Sequence, residues 1–407
     1  MIAHWIWLTG LSRLGPVRQN QLLDRFGTAE ALHEADEAAL RRAGLSDTAV
    51  QALLCRDLSR AEQIVRACEA AQIRILTRSD ADYPAPLRRV EDAPVVLYLR
   101  GSLPDLGKRP CVGLVGAREA DERGLALARQ LGWQIAGCGG VTVTGMARGV
   151  DAWAARGALD FGGAVVGVLG CGVDVIYPKQ EADLFARTPE RGCLLSEYPP
   201  GTAPNAKHFP ARNRIISALS DAVAVIQASE NSGSLITARC AADRGRDVFA
   251  VPGPAGDPRS RGCSQLLRQG ALLAECGWDI VSEYEYRYPG SVREYHGRPW
   301  ARRDRGPGPS SPSVPAGALS AGTAPAAAAP GPAAGANQPP VRPQVRTEGL
   351  SEIQLRIVQT LQAGPLQLDA LIDRLGLPAA RILPELTLLQ IRGVLRQKPG
   401  RVFELAD

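Results

Sequence analysis

The sequence predicts an α/β fold, with a Rossmann-like parallel sheet in the middle of the chain, a helical module before it and a winged helix after it. Three observations support this. Between residues 111 and 285, short apolar segments alternate with stretches of helical pattern. Strands that are apolar along their whole length are typical of a parallel sheet covered by helices on both faces. A Pro-, Ala- and Gly-rich segment then separates this centre from an apolar-periodic tail.

Composition places the chain among globular proteins without identifying a ligand. It has 407 residues, 45% of them hydrophobic, and a formal net charge of +5. Domains commonly contain about 100–200 residues, so roughly two to three are expected. A net charge this small does not predict nucleic-acid binding, which must be argued from where the cations lie.

Cysteine usage and apolar runs predict a cytoplasmic protein with no membrane contact. The nine cysteines are scattered and form no CxxC pair, which favours a reducing compartment. The first residues lack the cationic start and long apolar run of a signal peptide, and no run reaches the ~20 apolar residues of a membrane span.

Residues 1–75 are predicted to form a helical module that resembles SAM-like or helix-hairpin-helix modules. A helix is expected to end at Phe26, because Gly27 is a stop signal and Thr28 can cap the helix that follows. Such modules can offer backbone N–H groups to DNA phosphates. The acidic residues 34, 36 and 37 favour a bundle that only packs on its neighbour.

The central domain is predicted over residues 76–285, with a lead-in at 76–110 that contains a short helix and a strand at Val95–Leu99. Ligands of parallel α/β sheets bind beyond the carboxyl ends of the strands. We therefore expect the polar loops to converge on one edge. Six further strands are expected, at 111–116, 140–145, 164–170, 193–198, 222–227 and 247–253. The polar loops are Gly116-Ala117-Arg118, Gly145 to Gly149, Gly170-Cys171-Gly172 and Ser232-Gly233-Ser234.

Two segments follow the centre. Residues 286–348, rich first in Arg and Tyr and then in Pro, Ala and Gly, are predicted to be a disordered linker, because they cannot bury a core. Residues 349–407 are predicted to be a winged helix, with three helices before a two-stranded wing. Its expected recognition helix, Ala379 to Ile391, has one cation, Arg381, so a protein contact is favoured over base recognition.

The densest set of candidate binding residues begins at Lys207. This lysine, Arg212, Arg214 and the aromatic Phe209 lie within eight positions. A strand follows, and then a small-residue loop, Ser229-Glu230-Asn231-Ser232-Gly233-Ser234, opens a helix. Free N–H groups and the helix dipole at such a start attract anions. Cations beside an aromatic ring suit a phosphate chain that carries bases, which predicts single-stranded nucleic acid.

This stretch resembles the signature of the DNA-processing protein A family, known as DprA or Smf. FPARNRIISALSDAVAVIQA and SGSLITA carry the likeness, after VGLVGAR (112–118), TGMARGVDAWAARGAL (144–159), GCGVDVIYP (170–178) and LLSEYPPGTAP (194–204) in the family's order. The resemblance implies a recombination mediator that binds and protects incoming single-stranded DNA and helps to load the RecA recombinase during natural transformation. It also implies self-association, as a homodimer or a larger assembly.

Arg118 is the first candidate for a phosphate ligand. It follows a strand in a loop that opens a helix, and a guanidinium offers a fork of donors to phosphate. The family has Gly-Ser-Arg there, so Ala117 removes one hydroxyl donor and leaves backbone N–H groups. The alternative for Arg118 is a salt bridge to Glu119 or Asp121.

Each of the other candidate residues has an alternative role. Arg148 lies in the Gly145–Gly149 loop, whose glycines permit a tight turn and close approach, and Asp151 after it is an N-cap or a ligand. Phe209 stacks on a base or anchors its loop in the core. Arg212 and Arg214 cannot both face the same way on a helix. One is expected to contact DNA and the other to pair with Asp221 or Glu197.

We predict a binding protein, not an enzyme, with no cofactor and no metal. The four histidines form no cluster, and the sequence has no metal-ligand set, P-loop or GxGxxG motif. The strongest alternative is a nucleotide phosphoribohydrolase of the LOG or lysine-decarboxylase-like type. That family needs the glutamate of a PGGxGTxxE loop, and NSGSLITARCA here has none. A third class, a protein-only scaffold, would bind no DNA.

Overall fold

The computed structural model describes residues 1–11, 13–299, 350–398 and 402–406. They fall into two compact units, of which the first ends at Pro299 and the second contains the C-terminal tail. Most of the predicted linker, residues 300–348, lies outside the described residues.

The chain up to residue 70 is helical, as predicted. The predicted boundary at Gly27 is confirmed, because Gly27 has a φ of +84° and the Thr28 hydroxyl accepts a hydrogen bond from the Ala31 amide at 3.0 Å. A second break, at Ala35 and Asp36, separates two further short helices. The six helices are α1 (Ile2–Gly10), α2 (Pro16–Phe26), α3 (Ala29–Glu34), α4 (Glu37–Arg42), α5 (Asp47–Leu54) and α6 (Ser59–Ala70).

These helices share a hydrophobic core with the central sheet. Buried Leu8 and Leu22 belong to the same apolar cluster as Tyr98 of the sheet. The buried Asn20 amide donates to the carbonyls of Glu91 at 3.0 Å and Ala93 at 2.8 Å. The helical segment and the predicted central domain therefore form one compact unit.

The centre of the molecule is a nine-stranded sheet. Every strand predicted from the sequence is present, and two short strands at its ends, β1 and β9, were not predicted. The strands are β1 (Arg74–Thr77), β2 (Val96–Gly101), β3 (Cys111–Val115), β4 (Val141–Thr144), β5 (Val165–Leu169), β6 (Cys193–Ser196), β7 (Ala222–Val225), β8 (Asp247–Ala250) and β9 (Leu272–Leu273).

Seven of these strands are parallel, and their order creates a switch point. The spatial order is β1-β2-β6-β5-β4-β3-β7-β8-β9. At one end of the sheet, β2 pairs in antiparallel fashion with both β6 and β1. From β3 the chain moves outward through β4, β5 and β6, then returns to β7 on the other side of β3. Loops leaving β3 and β7 therefore diverge, which opens a crevice at their carboxyl ends.

Helices cover both faces of the sheet, so β3 to β7 are buried along their length. Helix α8 begins where the Asp121 carboxylate accepts from the Gly124 amide at 2.8 Å. The helices are α7 (Ala85–Arg88), α8 (Glu122–Gly137), α9 (Val150–Phe161), α10 (Ala182–Arg191), α11 (His208–Leu219), α12 (Ser234–Ala242), α13 (Arg261–Arg268) and α14 (Gly277–Val281).

Residues 286–299 correct the linker prediction, because they pack on the sheet unit. The buried Tyr288 hydroxyl donates to the Asp221 carboxylate at 3.0 Å. The Tyr295 hydroxyl accepts from the Trp133 indole N–H at 3.0 Å. Tyrosines bury large apolar area while their hydroxyls find partners, so this Tyr-rich segment stays folded where its composition suggested a linker.

The C-terminal unit is a winged helix, as predicted. Its core contains buried Ile357, Leu371 and Phe403. Glu385 of the recognition helix accepts from the Gln354 amide at 2.6 Å, so that carboxylate is used within the domain. The elements are α15 (Glu352–Leu361), β10 (Leu366–Gln367), α16 (Leu368–Leu375), α17 (Ala379–Ile391), β11 (Leu395–Lys398) and β12 (Val402–Leu405).

Within the described ranges, no helix combines the length and apolarity needed to cross a lipid bilayer. All nine cysteines lie in this part of the chain and are free thiols.

Candidate nucleic-acid interface

The switch point holds a cavity of about 770 Å³, and the polar loops converge there as the parallel-sheet rule predicts. A smaller cavity of about 220 Å³ adjoins it and is reached by the loop after β5. Five residues line both cavities: Arg118, Ala147, Tyr177, Phe209 and Arg212.

Arg118 is exposed at the mouth of both cavities. Its guanidinium carbon lies 5.2 Å from the centre of the Phe209 ring, a distance typical of a cation–π contact. The predicted alternative partners are engaged elsewhere, Glu119 with Arg148 at 2.7 Å and Asp121 with Arg259 at 3.2 Å. No carboxylate in the described part of the chain pairs with Arg118, so its charge is available to a ligand.

Arg148 is also exposed, and its partner is the exposed Glu119. Pairs of this kind contribute about 0–1 kcal/mol because water screens both charges. A phosphate could therefore displace Glu119 at low cost, and Arg148 stays a candidate ligand.

Arg212 is buried beneath the cavities, with a side chain 3% exposed, which the sequence did not predict. One guanidinium nitrogen, Nη1, donates to the carbonyls of Gly145, at 2.6 Å, and Val168. Burial lowers the pKa of Arg212 to about 10, an effect that Asp151 opposes, so the group stays charged at neutral pH. Arg212 therefore ties the loop after β4 to strand β5 and adds positive charge to the cavity floor.

Asp151 is not the N-cap of its helix, because that position belongs to Gly149. Its buried carboxylate accepts from the Gly145 amide at 3.1 Å, which fixes the loop after β4. Burial raises the pKa of Asp151 to about 6, while the nearby Arg212 acts in the opposite direction.

Arg214 does not line either cavity, so its predicted contact with DNA is corrected. Its guanidinium donates to the Asp92 carbonyl and to Glu197, the partner that the sequence suggested as an alternative. Both side chains of the Arg214–Glu197 pair are largely buried, and such ion pairs are costly to break. The side chain therefore anchors α11 to the lead-in segment.

Lys207, directly before α11, is exposed and lies outside both cavity linings. A lysine in this position can still reach a phosphate chain that leaves the cavity. Its role as a DNA ligand stays a prediction.

The loop after β7 lines the larger cavity through Ser232, Gly233 and Ser234, whereas the exposed Asn231 lies outside the lining. The two serine hydroxyls share a hydrogen bond of 2.8 Å. The Ser232 amide donates to the Ser229 carbonyl, and the Ser234 amide to the Ser232 hydroxyl. Two of the backbone amides that were predicted to bind an anion therefore already donate hydrogen bonds within the loop.

The prediction for the Ala117 amide is corrected in the same way. Its amide, which we expected to face a phosphate, donates to the Gln227 carbonyl at 2.7 Å, and its carbonyl accepts from Val150 at 3.1 Å. Gly149, with a φ of +86°, makes the second contact possible, because an added Cβ would lie 2.4 Å from the Ala117 carbonyl oxygen. These residues and Gly116 hold the Arg118 loop against the start of α9.

The sequence and the fold are similar to those of known proteins. The model of the family described as DNA recombination-mediator protein A matches residues 74–285, just over half of the chain. Protein Smf of Escherichia coli is 35% identical over 288 residues, which are 70% of this chain and 76% of that protein. The chain belongs to the DprA/Smf family. A second model, the DprA winged helix domain, matches residues 338–401.

A relative and a solved structure, both from Streptococcus pneumoniae, make the likeness more specific. DNA processing protein DprA of that organism is 43% identical over 209 residues, 51% of this chain and 73% of the relative. The X-ray structure of DNA processing protein A from the same species has a TM-score of 0.62 and 33% identity, over 70% of this chain and 98% of that one. The DprA/Smf assignment thus covers both the sheet and the helices around it.

Two residues that line the cavities were not predicted from the sequence. Arg259 lies in the loop after β8 and lines the larger cavity with a half-exposed side chain. Arg259 could have been predicted from the rule that ligands bind beyond the carboxyl ends of parallel strands, because the loop after β8 leaves the sheet at that edge. Tyr177 lies far from any predicted cation in sequence, and its ring stacks on Phe209 at 5.6 Å; no sequence pattern gave that contact.

Across the described residues, no group of three or more His, Cys, Asp or Glu side chains is placed to hold a metal ion. The charged groups around the cavities are mainly arginines, which suits an anionic ligand.

Proposed function

We propose that this protein binds single-stranded DNA in the switch-point cavity and acts as a recombination mediator. The observation that carries the proposal is Arg118, an exposed guanidinium that has no carboxylate partner in the described residues and lies over the Phe209 ring at the cavity mouth. A cation beside an aromatic surface is the combination that holds phosphates and bases of a single strand. The match to the recombination-mediator family supports the same class of ligand.

The proposed mechanism is electrostatic positioning. Phosphates contact Arg118, Arg148, Lys207 and Arg259, while the buried Arg212 strengthens the positive potential of the floor. Contacts to the phosphate backbone carry no sequence information, so little sequence preference is expected. The buried carboxylate of Asp151 lines the larger cavity and holds the loop after β4 through the Gly145 amide, so we assign it a structural role in a protein that binds without catalysis.

We further propose that the bound strand is passed to the RecA recombinase and that the protein self-associates in the cytoplasm. The family relationship supports RecA loading. For self-association, β9 is the last strand of the described sheet, and its Leu273 side chain is 52% exposed. Open strand edges with apolar side chains are sites of pairing between chains. A Leu273→Lys variant should sediment as a smaller species than the wild type if this edge is used.

The decisive experiment compares fluorescence anisotropy of labelled oligo-dT with a duplex of equal length, for the wild type and an Arg118/Lys207 double alanine variant. We expect tighter binding of the single strand and its loss in the variant. Equal binding by both proteins would reject this site. Binding of neither DNA, together with release of a base from nucleoside monophosphates, would favour the phosphoribohydrolase alternative.

A further inference from the structure

Gln227 is a buried polar residue close to the switch point that lines neither cavity. It lies just beyond the end of β7 and is 6% exposed. Burial of an amide is costly unless hydrogen bonds replace those that it made to water. The partners of this amide therefore show what its burial achieves.

The hydrogen-bond partners of Gln227 lie in the loop that carries Arg118. The Gln227 carbonyl accepts from the Ala117 amide at 2.7 Å. Its side-chain oxygen accepts from the Asp121 amide at 3.2 Å, and its side-chain nitrogen donates to the Asp121 carboxylate at 3.1 Å. One residue of β7's following loop thus holds the Arg118 loop on both sides of Arg118.

The Asp121 carboxylate extends these contacts to two neighbouring elements. It accepts from the Gly124 amide at 2.8 Å, at the start of α8, and pairs at 3.2 Å with Arg259, which lines the larger cavity. An added Cβ at Gly124 would lie 2.6 Å from the Gln227 side-chain oxygen. The Gln227 amide is therefore packed closely between the loop and α8, which leaves it little room to rotate.

Arg118 itself has few restraints on its side chain. It contacts the Phe209 ring at 5.2 Å, and no carboxylate of the described residues pairs with it. A long side chain on a loop loses conformational freedom when it binds a ligand, and this loss opposes binding. A backbone that is fixed beforehand reduces the loss, so the residue that fixes it raises affinity without contact with the ligand.

We propose that Gln227 is a positioning residue for DNA binding, which holds the loop at Ala117 and Asp121 so that Arg118 meets a phosphate in a fixed place. The inference rests on the proposed binding of single-stranded DNA at this site and deepens it. Without the Gln227 side chain the loop adopts the binding geometry for only part of the time, and the apparent affinity falls by that fraction.

The test replaces Gln227 with methionine, an unbranched side chain of similar length that lacks the donors of the amide. Gln227→Met should weaken oligo-dT binding by about 2- to 12-fold in anisotropy titrations, the range for one net hydrogen bond. In the DNA-free variant, the Asp121 amide should exchange its hydrogen faster than in the wild type, because its acceptor is gone. Gln227→Ala should give the same two results, and it is the second variant if methionine prevents folding.

Gln134→Met is the matched control. Gln134 is 2% exposed, its side chain accepts from the Gly277 amide at 2.9 Å, and it lies outside both cavity linings. This variant removes a buried amide from the same compact unit, so it should lower the stability of the fold. Its oligo-dT affinity and the hydrogen exchange of the Asp121 amide should remain those of the wild type.

A thermodynamic cycle with Arg118→Ala separates positioning from a general weakening of the fold. In the Arg118→Ala background, Gln227→Met should have almost no further effect on oligo-dT binding, because no guanidinium remains to be positioned. Equal losses in both backgrounds would overturn the inference, since the effect would then not depend on Arg118.

Two further outcomes would contradict the inference while the proposed DNA-binding function stands. One is unchanged oligo-dT binding by Gln227→Met and Gln227→Ala. The other is an equal loss of affinity from Gln134→Met, which would make the effect one of overall stability. Failure of the wild type to bind oligo-dT would overturn both proposals.

Discussion

At the scale of single residues, Arg118 and Arg148 lie in neighbouring loops and differ in their partners. Arg118 contacts a ring, whereas Arg148 is held by Glu119. A charged hydrogen bond contributes about 1.5–3 kcal/mol. We therefore expect Arg118→Ala to weaken oligo-dT binding at least roughly tenfold, and Arg148→Ala to weaken it less, because that arginine must first leave its carboxylate. Anisotropy titrations at one salt concentration would measure both. A larger loss for Arg148→Ala would contradict the ranking.

Asp151 leads to a prediction about pH. Burial raises its pKa from 3.8 to about 6, so between these values the folded state binds the proton that the unfolded state releases. The carboxyl group's contribution to the free energy of unfolding therefore falls as pH rises from about 4 to about 6 and is constant outside this window.

An Asp151→Asn variant isolates that contribution. The difference in free energy of unfolding, wild type minus variant, should fall by on the order of 2–3 kcal/mol across the window. Urea denaturation at several pH values measures it, and the other carboxylates cancel in the difference. A difference that rises with pH would mean that Arg212 dominates over burial and lowers the pKa.

At the scale of elements, helix α9 has a positive-φ glycine at each end. Gly149 precedes it at φ +86° and Gly162 ends it at φ +92°. An added Cβ at Gly162 meets nothing within 4 Å, while at Gly149 it meets the Ala117 and Arg118 carbonyl oxygens at 2.4 and 2.6 Å. Both positions therefore have a positive φ, but Gly162 lies in the left-handed helical region at ψ +16°, whereas Gly149 lies outside it at ψ −129° and is also tightly packed.

Alanine substitution at each position separates these effects. Gly162→Ala should cost about 1–2 kcal/mol of stability, the strain of a left-handed conformation. Gly149→Ala should cost a further 1–3 kcal/mol from the clash and should weaken oligo-dT binding, because the Arg118 loop must move. Chemical denaturation and anisotropy measure the two effects. Equal stability losses would show that the loop adjusts without cost.

In the winged helix, the exposed side chains of the recognition helix favour a role other than base recognition. Leu383 and Leu388 of α17 are each 44% exposed, and Glu385 is held by Gln354. Helices that read the major groove normally present several polar or basic side chains. The described surface of α17 therefore agrees with the predicted protein contact, which stays a prediction.

At the scale of the whole molecule, the sequence predicted the elements well because each buried strand is apolar along its length. Strands β1 and β9 were missed because strands at the ends of a sheet are short and only partly buried. The contacts of Arg212 and Arg214 could not be predicted from the sequence, because both guanidinium groups bind carbonyls and carboxylates that are distant in sequence. The same holds for Tyr295, which packs on Trp133 across 162 positions.

The arrangement of cations around the switch point gives a prediction for the molecule as a whole. Four exposed cations are candidates for phosphate contacts: Arg118, Arg148, Lys207 and Arg259. Single-stranded nucleic acid releases counterions in proportion to these contacts, with a slope of about −0.7 per contact in a plot of log affinity against log salt. Four contacts give a slope of about −3, to be measured by oligo-dT anisotropy across a potassium chloride series.

The Arg118/Lys207 double alanine variant should reduce the magnitude of that slope by about 1.4, because two contacts are removed. A slope near zero for the wild type would place the binding energy outside the phosphates. A steep slope that the double variant does not alter would place the phosphate path on another face of the molecule.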